Sequence, residues 1–174
     1  PPPRGPLRLT VDPAAACPCG LGLPHDECCG RWLSAHASHG TLGAPTAEAL
    51  MRSRFTAYTL LGEADPTDDA GARTARALVA YLRATWAPET RPDEAELLPG
   101  PDRPAARFTR LAVTGSEAGG PFDAAGTVEF TALGRQPEAD DPGAGQRFRL
   151  RERSRFRRES GAWLYVCLLY TSLS

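Results

Sequence analysis

Four of the chain's five cysteines lie within thirteen residues, and this cluster limits what the N-terminal region can fold into. They form two close pairs, Cys17 with Cys19 and Cys28 with Cys29. Thiols at this density, with glycines between the pairs, are typical of a segment that closes around a metal ion. Four thiolates favour a tetrahedral, redox-silent ion, so we predict one structural Zn²⁺ held by these four cysteines.

The residues between and after the pairs suit such a site. Pro18 stiffens the first pair, and Gly20 and Gly22 allow the backbone to turn tightly. The second pair is expected to begin a helical turn that runs into Arg31 and Trp32. Four thiolates around one Zn²⁺ leave excess negative charge, which Arg31 is predicted to offset.

Three alternatives to this zinc site stay open at the sequence level. Disulfide scaffolds are usually small secreted chains, and no secretory signal is visible here. A catalytic thiol needs one cysteine rather than four, and a filled tetrahedron leaves no open coordination position. His25 could replace a cysteine as ligand, but we interpret it as a solvated loop histidine.

The overall charge and hydropathy argue against nucleic acid and membrane as general partners. The formal net charge is -1 at pH 7, and no apolar run approaches the ~18 residues of a membrane helix. Reduced thiols and the lack of a targeting segment indicate a cytoplasmic location.

Both ends of the sequence are expected to contain residues that are not native. The chain does not begin with methionine, so residues 1–16 are interpreted as an incomplete or spurious start. The segment 167–172 resembles the translated sequence of a transposase adapter, and residues 167–174 are predicted to be a non-native tail. Every cysteine before this tail belongs to the metal cluster.

The pattern after the cysteine segment predicts helices followed by strands. Residues 34–43 are predicted to form a small-residue linker with exposed histidines. Helices are predicted over 47–61, where Thr46 caps the start and Gly62 ends it, and over 72–86, with Trp86 on the buried face.

A proline-rich loop over 87–106 separates the helices from the strands. Strands are predicted where polar and apolar residues alternate, over 108–114, 127–133, 146–157 and 163–166. Two helices before an antiparallel meander predict an α+β domain, with the helices packed on one face of the sheet.

The third strand has two unlike faces, because side chains alternate along a strand. Its outer face carries six arginines, at positions 147, 149, 151, 153, 155 and 157. Arginines in a row could bind phosphates or an acidic partner. We favour a solvated face that acidic residues such as Glu129 neutralise in part.

The inner face of the same strand places Glu152 and Ser154 between apolar residues. A buried carboxylate needs a partner or takes a raised pKa. We favour a structural salt bridge from Glu152 to Arg52 or Arg54. The functional alternative is a ligand pocket with Trp86, Glu152 and Ser154 on its wall.

The cysteine spacing resembles the SEC-C motif, the zinc-binding module at the C-terminus of the SecA translocation ATPase. The resemblance implies such a module over residues 14–33. Its last ligand is often histidine, where this chain has Cys29. The serine and lysines usual in its loop are replaced by Leu21, Leu23 and Pro24, so the module's basic contact with a partner does not carry over.

The rest of the chain resembles the YchJ-like family, an uncharacterised bacterial group. The resemblance lies in four segments: 45–58, 84–86, 126–130 and 152–156. It implies a SEC-C motif before a domain like nuclear transport factor 2 over 44–166, in which a curved antiparallel sheet and helices form a cystatin-like cone with a central cavity. The family often has histidines where this chain has Ala87 and Arg151, so no proton transfer by them is inferred.

From these features we favour a non-enzymatic binding protein. The zinc module would engage a protein partner, and the cone would supply a second surface or a small-ligand cavity. One alternative is an enzyme with Glu152 as its base, which requires an unpaired carboxylate in a sizeable cavity. The other is RNA or ribosome binding through the arginine face, which requires that acidic neighbours leave those arginines unpaired.

Overall fold

The helices precede the sheet in the computed structural model, which describes residues 11–141 and 143–174. A short 3-10 helix, His25–Glu27, leads into α1. The α-helices are α1 (Cys29–His39), α2 (Ala47–Glu63), α3 (Asp69–Ala84) and α4 (Glu94–Leu97). The first ten residues of the interpreted spurious start lie outside the described residues.

The start of α2 follows the sequence prediction, whereas its end does not. Thr46 Oγ1 accepts a hydrogen bond from the backbone N–H of Ala49 at 3.0 Å, as an N-cap should. Gly62 lies inside the helix, which runs to Glu63. A Cβ at Gly62 would collide with the carbonyl oxygen of Ala106, so close packing explains this glycine better than helix termination does.

The predicted linker over 34–43 is wrong, because α1 occupies most of it. Its alanines and serines are compatible with a helix, and buried Leu33 anchors the helix to the core. Gly40, with φ of +69°, caps its C-terminus. His36 is half-buried with its ring 5.5 Å from that of Tyr81, whereas His39 is exposed.

The four predicted strands are all present, and each is longer than predicted. They are β1 (Arg107–Ala118), β2 (Ala125–Pro137), β3 (Gly145–Glu159) and β4 (Ala162–Leu173). They form one antiparallel sheet in the order β1-β2-β3-β4. Strand β4 continues through most of the predicted tail and pairs with β3 as far as Leu150 opposite Leu173. The non-native origin of the tail stays a prediction.

The main core lies between α2 and the sheet, and the cysteine segment packs into it. Buried residues of this cluster include Met51 and Phe55 on α2 and Val128, Phe156 and Trp163 on the strands. The four cysteines belong to the same cluster. The boundaries 14–33 and 44–166 stay predictions, but the two parts share one apolar interior.

A second buried cluster joins α1, α2 and α3 on the side of α2 away from the sheet. It includes Leu33, Leu60, Leu78 and Leu82. No helix in the described ranges is long and apolar enough to cross a membrane.

Candidate metal centre and ligand cavity

The four cysteine sulfurs converge at one buried point. The Sγ atoms of Cys17, Cys19, Cys28 and Cys29 all lie within 4.8 Å of one another. Cys19 Sγ is 3.5 Å from Cys28 Sγ, which is 4.0 Å from Cys29 Sγ. A tetrahedron with Zn–S bonds near 2.3 Å has edges of about 3.8 Å. The spacing therefore fits a tetrahedral metal ion and is too long for disulfides, whose sulfurs lie about 2.05 Å apart.

Backbone turns bring the two pairs together, as the sequence predicted. Gly20 and Gly22 have φ of +82° and +80°, in the left-handed region that favours glycine. The loop closes where the N–H of Cys17 donates to the carbonyl of Leu23 at 2.9 Å. The second pair lies at the start of α1, which begins at Cys29.

The thiols cannot all be ionised without a cation between them. Hydrogen bonds from Cys19 and Cys29 hold the pKa of Cys17 well below its usual range. Burial raises the pKa of Cys28 to about 12, and hydrogen bonding with Cys17 and Cys19 raises that of Cys29 far above normal. One thiolate is thus stabilised by protons on the others. A bound cation would replace those protons, so the donor set fits a metal.

The groups around the sulfurs differ from those predicted. Arg31 is exposed and stacks on Trp32, 4.3 Å from the ring centroid, rather than facing the thiols. Arg52, on α2, instead donates from Nη1 to the carbonyl of Cys19 at 2.8 Å. Thr56 Oγ1 lies 3.7 Å from Cys17 Sγ. Helix α2 therefore supplies the polar contacts of the cluster.

The interpretation of His25 as a solvated loop residue is wrong. Its side chain is 3% exposed and packs against Gly30, where any Cβ would contact the imidazole ring. Glycine at that position makes room for the ring. His25 lies outside the group of four sulfurs, which already supplies a full tetrahedral set.

A cavity of about 350 Å³ lies between α2 and the inner face of the sheet. Half of the residues on its wall are aromatic, and the wall carries the three predicted pocket residues. The residues that line it are Met51, Arg54, Phe55, Tyr58, Trp86, Phe108, Phe130, Ala132, Leu150, Glu152, Ser154, Phe156, Tyr165 and Leu168. The alternation of β3 correctly predicted which of its side chains face inward.

Trp86 reaches this cavity because the chain after α3 pairs with β4. The N–H of Tyr165 donates to the carbonyl of Thr85, and the N–H of Ala87 donates to the carbonyl of Tyr165, both at 2.8 Å. The two aromatic rings meet edge to face with centroids 5.0 Å apart. Trp86 thus lies two residues past α3, rather than on its buried face as predicted.

The predicted salt bridge of Glu152 does not form. Arg52 pairs with Glu48 at 2.9 Å on the other side of α2. Arg54 Nη1 donates to the carbonyl of Leu82 at 2.8 Å and to Thr85 Oγ1 at 2.7 Å. The structural interpretation of Glu152 is therefore wrong, because other partners hold both arginines.

The polar groups on the cavity wall are short of partners. Burial raises the pKa of Glu152 to about 7, against an opposing effect of Arg54. Trp86 Nε1 and Ser154 Oγ are buried without a hydrogen-bond partner in the described part of the chain. Unsatisfied buried polar atoms are uncommon in folded proteins, so two of them on one cavity wall, beside the half-buried Glu152 carboxyl group, indicate a site for a ligand.

The outer face of β3 is partly neutralised, as favoured from the sequence. Arg151 pairs with Glu129 at 2.5 Å, Arg153 pairs with Glu117, and Arg157 pairs with both Glu89 and Glu159. Half of the six arginines therefore have carboxylate partners. The alternative of RNA binding through that face stays a prediction.

Sequence reasoning missed the polar residues that α2 and β4 add to the cavity. Arg54 and Tyr58 lie one helical turn apart, and Tyr165 faces them from β4. The spacing of Arg54 and Tyr58 was a usable signal, since residues four apart share a helix face.

Comparisons with known proteins agree with the fold and the cysteine cluster. The profile of the YchJ middle NTF2-like domain matches residues 74–167. A UPF0225 protein of Corynebacterium glutamicum is 42% identical, over 86% of this chain and 92% of its own length. A UPF0225 protein of Streptomyces avermitilis is 40% identical, over 94% of this chain and 91% of its own.

A solved structure supports the same assignment. The solution structure of a SEC-C motif containing protein from Rhodopseudomonas palustris superposes with a TM-score of 0.61 and 31% identity. The match covers 88% of this chain and 97% of that one. With its NTF2-like cone and its cluster of four cysteines, the chain belongs to the YchJ (UPF0225) family.

Proposed function

We propose that this protein is a cytoplasmic binding protein with one structural Zn²⁺ and a cavity for a small molecule. The observation that carries the proposal is the apolar cavity in which Trp86 Nε1, Ser154 Oγ and the Glu152 carboxylate have no protein partner. Specific ligand sites have this composition, with apolar walls and a few convergent polar groups.

The donor set is the reason for choosing zinc. Four buried thiolates favour a soft or borderline ion in tetrahedral geometry, and they leave no position for water or substrate. The ion would hold the loop against α2 and supply no chemistry to the cavity. Free thiols at close range are also typical of a reducing compartment, which supports the cytoplasm.

Metal analysis tests this part of the proposal. Protein purified without added metal should contain about one zinc per chain. The double variant Cys17→Ser/Cys28→Ser should contain none, whereas Cys167→Ser should keep its zinc, because Cys167 lies on β4 outside the cluster. Equal metal content in the double variant and the control, or a different metal in the wild type, would refute the assignment.

Occupancy of the cavity can be tested with the neutral apolar dye prodan. Ala132 lies on the cavity wall and is buried, whereas Ala112 is exposed on β1. Ala132→Leu should fill part of the cavity and weaken dye binding, while Ala112→Leu should leave it unchanged. Circular dichroism should show that both variants fold. Equal binding by all three proteins would show that the dye does not enter this cavity.

The enzyme alternative meets its own structural condition, because Glu152 is unpaired in a sizeable cavity. A carboxylate whose pKa is raised to about 7 by burial suits proton transfer. An enzyme would return a bound compound chemically changed, and Glu152→Gln would abolish the change while preserving binding. A binding protein returns the compound intact, which mass spectrometry of the recovered ligand decides.

The predicted protein partner of the cysteine segment has one supporting feature. Leu21 and Leu23, which replace polar residues of the SEC-C loop, are 52% and 45% exposed. Exposed apolar side chains favour contact with a protein over contact with nucleic acid. A partner captured by the wild type and lost by Leu21→Ser/Leu23→Ser would support this role, and capture by both proteins would exclude the loop.

A further inference from the structure

Arg54 is a buried cation that no carboxylate in the described chain neutralises. Its side chain is 6% exposed, and its guanidinium lies 4.8 Å from the ring centroids of both Trp86 and Tyr165. Both of its hydrogen bonds come from Nη1. Nε and Nη2 therefore have donors to spare beside the cavity that Arg54 lines.

Two further donors on the same wall are also unused. Trp86 Nε1 is buried and can only donate a hydrogen bond, and Ser154 Oγ is buried and can donate one. Trp86 lies against Arg54, and Ser154 is on the inner face of β3 beside Glu152. Unused donors on α2, β3 and the segment after α3 thus belong to residues that line one cavity, and an anionic acceptor needs such donors.

Apart from Glu152, Tyr58 and Tyr165 the remaining wall is apolar, and the cavity admits a molecule of limited size. A volume of about 350 Å³ suits a ligand of roughly ten to twenty non-hydrogen atoms. A cationic ligand is disfavoured, because Arg54 already occupies the faces of Trp86 and Tyr165 that would attract it. A neutral ligand would leave the charge of Arg54 uncompensated.

We propose that the cavity binds a small aromatic or aliphatic carboxylic acid as its carboxylate, which accepts hydrogen bonds from Arg54, Trp86 and Ser154 while Glu152 stays protonated. This inference rests on the proposed function, because it names the ligand class of the same cavity. The ligand enters ionised, and Glu152 keeps its proton and donates it to a carboxylate oxygen in a hydrogen bond.

The surroundings of Glu152 permit this role. The charged and titratable side chains that act on it are Arg54 and Tyr58 from α2 and Tyr165 from β4. Its partner on β2 is Phe130, and the arginines next to it on β3 point outward. Burial raises the pKa of Glu152 to about 7, and a second carboxylate nearby would raise it further.

A matched ligand series tests the charge preference. Hydrocinnamate, hydrocinnamide, hydrocinnamyl alcohol and hydrocinnamylamine share one apolar part and differ in their head group. The zinc-loaded full chain should bind the acid at least about tenfold more tightly than the other three, as a hydrogen-bonded charge requires. Calorimetry measures the affinities. Equal or tighter binding of the amide, alcohol or amine would overturn the inference.

Two variants and a pH series test whether Trp86 donates to the ligand and whether binding needs the proton on Glu152. Trp86→Phe removes only the indole donor and should weaken hydrocinnamate binding about tenfold, whereas Trp32→Phe on α1 should not. Wild-type affinity should fall about tenfold from about pH 6 to about pH 8, because Glu152 loses its proton there. Glu152→Gln should remove this pH dependence. An affinity that stays constant with pH in the wild type, or a Trp86→Phe variant that binds normally, would overturn the inference.

The two proposals fail in different ways. If prodan binds in the cavity and hydrocinnamate does not displace it, the carboxylic acid inference is wrong and the cavity still binds small molecules. If neither prodan nor any member of the series binds, the proposed function of the cavity is wrong as well.

Discussion

Replacing Glu152 with glutamine should remove a loss of stability at high pH, which an ion pair of Glu152 could not produce. The folded protein raises the pKa of Glu152 from 4.5 to about 7 through burial. Between these values the native state binds more protons than the unfolded state, so stability falls as pH rises through this window. Below pH 4.5 Glu152 is protonated in both states and its contribution to stability is fully present, and above about pH 7 that contribution is lost.

The size of the effect follows from the same shift. At 1.36 kcal/mol per pKa unit it corresponds to at most about 3 kcal/mol, and the partial solvent contact of Glu152 reduces it to about 1–2 kcal/mol. Glutamine does not ionise, so the variant does not lose stability as the pH rises through this window. Glu152→Gln should therefore match the wild type near pH 5 and exceed its stability by about 1–2 kcal/mol near pH 8.

Urea unfolding of the ligand-free, zinc-loaded protein at both pH values measures the difference. Glu138→Gln serves as the matched control, because Glu138 is exposed and should leave the pH dependence unchanged. If Glu152 were paired with Arg54, the variant would instead lose stability at high pH. A variant that is less stable than the wild type at high pH would refute the reasoning. Free energies of unfolding that change equally with pH in variant and wild type would refute it too.

Two further substitutions test how tightly α2 is packed. Gly62→Ala should lower the free energy of unfolding by about 1–3 kcal/mol, because its methyl group would collide with the carbonyl of Ala106, whereas Gly100→Ala has open space and should stay within about 0.5 kcal/mol. Ser53→Ala should cost about 1–3 kcal/mol, because it removes the 2.6 Å hydrogen bond to the buried Tyr81 hydroxyl. Thermal unfolding monitored by circular dichroism measures both, and a neutral Gly62→Ala or Ser53→Ala would contradict the packing described here.

The sequence predicted the features that depend on local pattern. Alternation identified all four strands and the inner face of β3, and cysteine spacing identified residues whose sulfurs do converge. Both signals are local in the chain, since a strand alternates within itself and each cysteine pair is nearly contiguous. Such features can be predicted without knowing which other parts of the chain pack against them.

The features that depended on distant partners were harder to predict. Glu152 was assigned to an arginine by charge alone, but the partners of Arg54 are a carbonyl and a hydroxyl at the end of α3. His25 was assigned to solvent because it lies in a loop, but the missing side chain of Gly30 provides its space. In the first case residues about thirty positions from Arg54 decided its hydrogen bonds, and in the second the absence of a side chain at Gly30, within the cysteine segment, decided the burial of His25.

Helix α2 is packed against other elements on two sides, and this restricts which substitutions it can accept. Eleven of its seventeen residues are buried, because the helix lies between the sheet on one side and α1 and α3 on the other. Arg52 and Thr56 contact the cysteine segment, while Arg54 and Tyr58 line the cavity. A saturation scan should therefore tolerate fewer replacements in α2 than in α3, and changes chosen to retune the cavity should often alter metal retention as well.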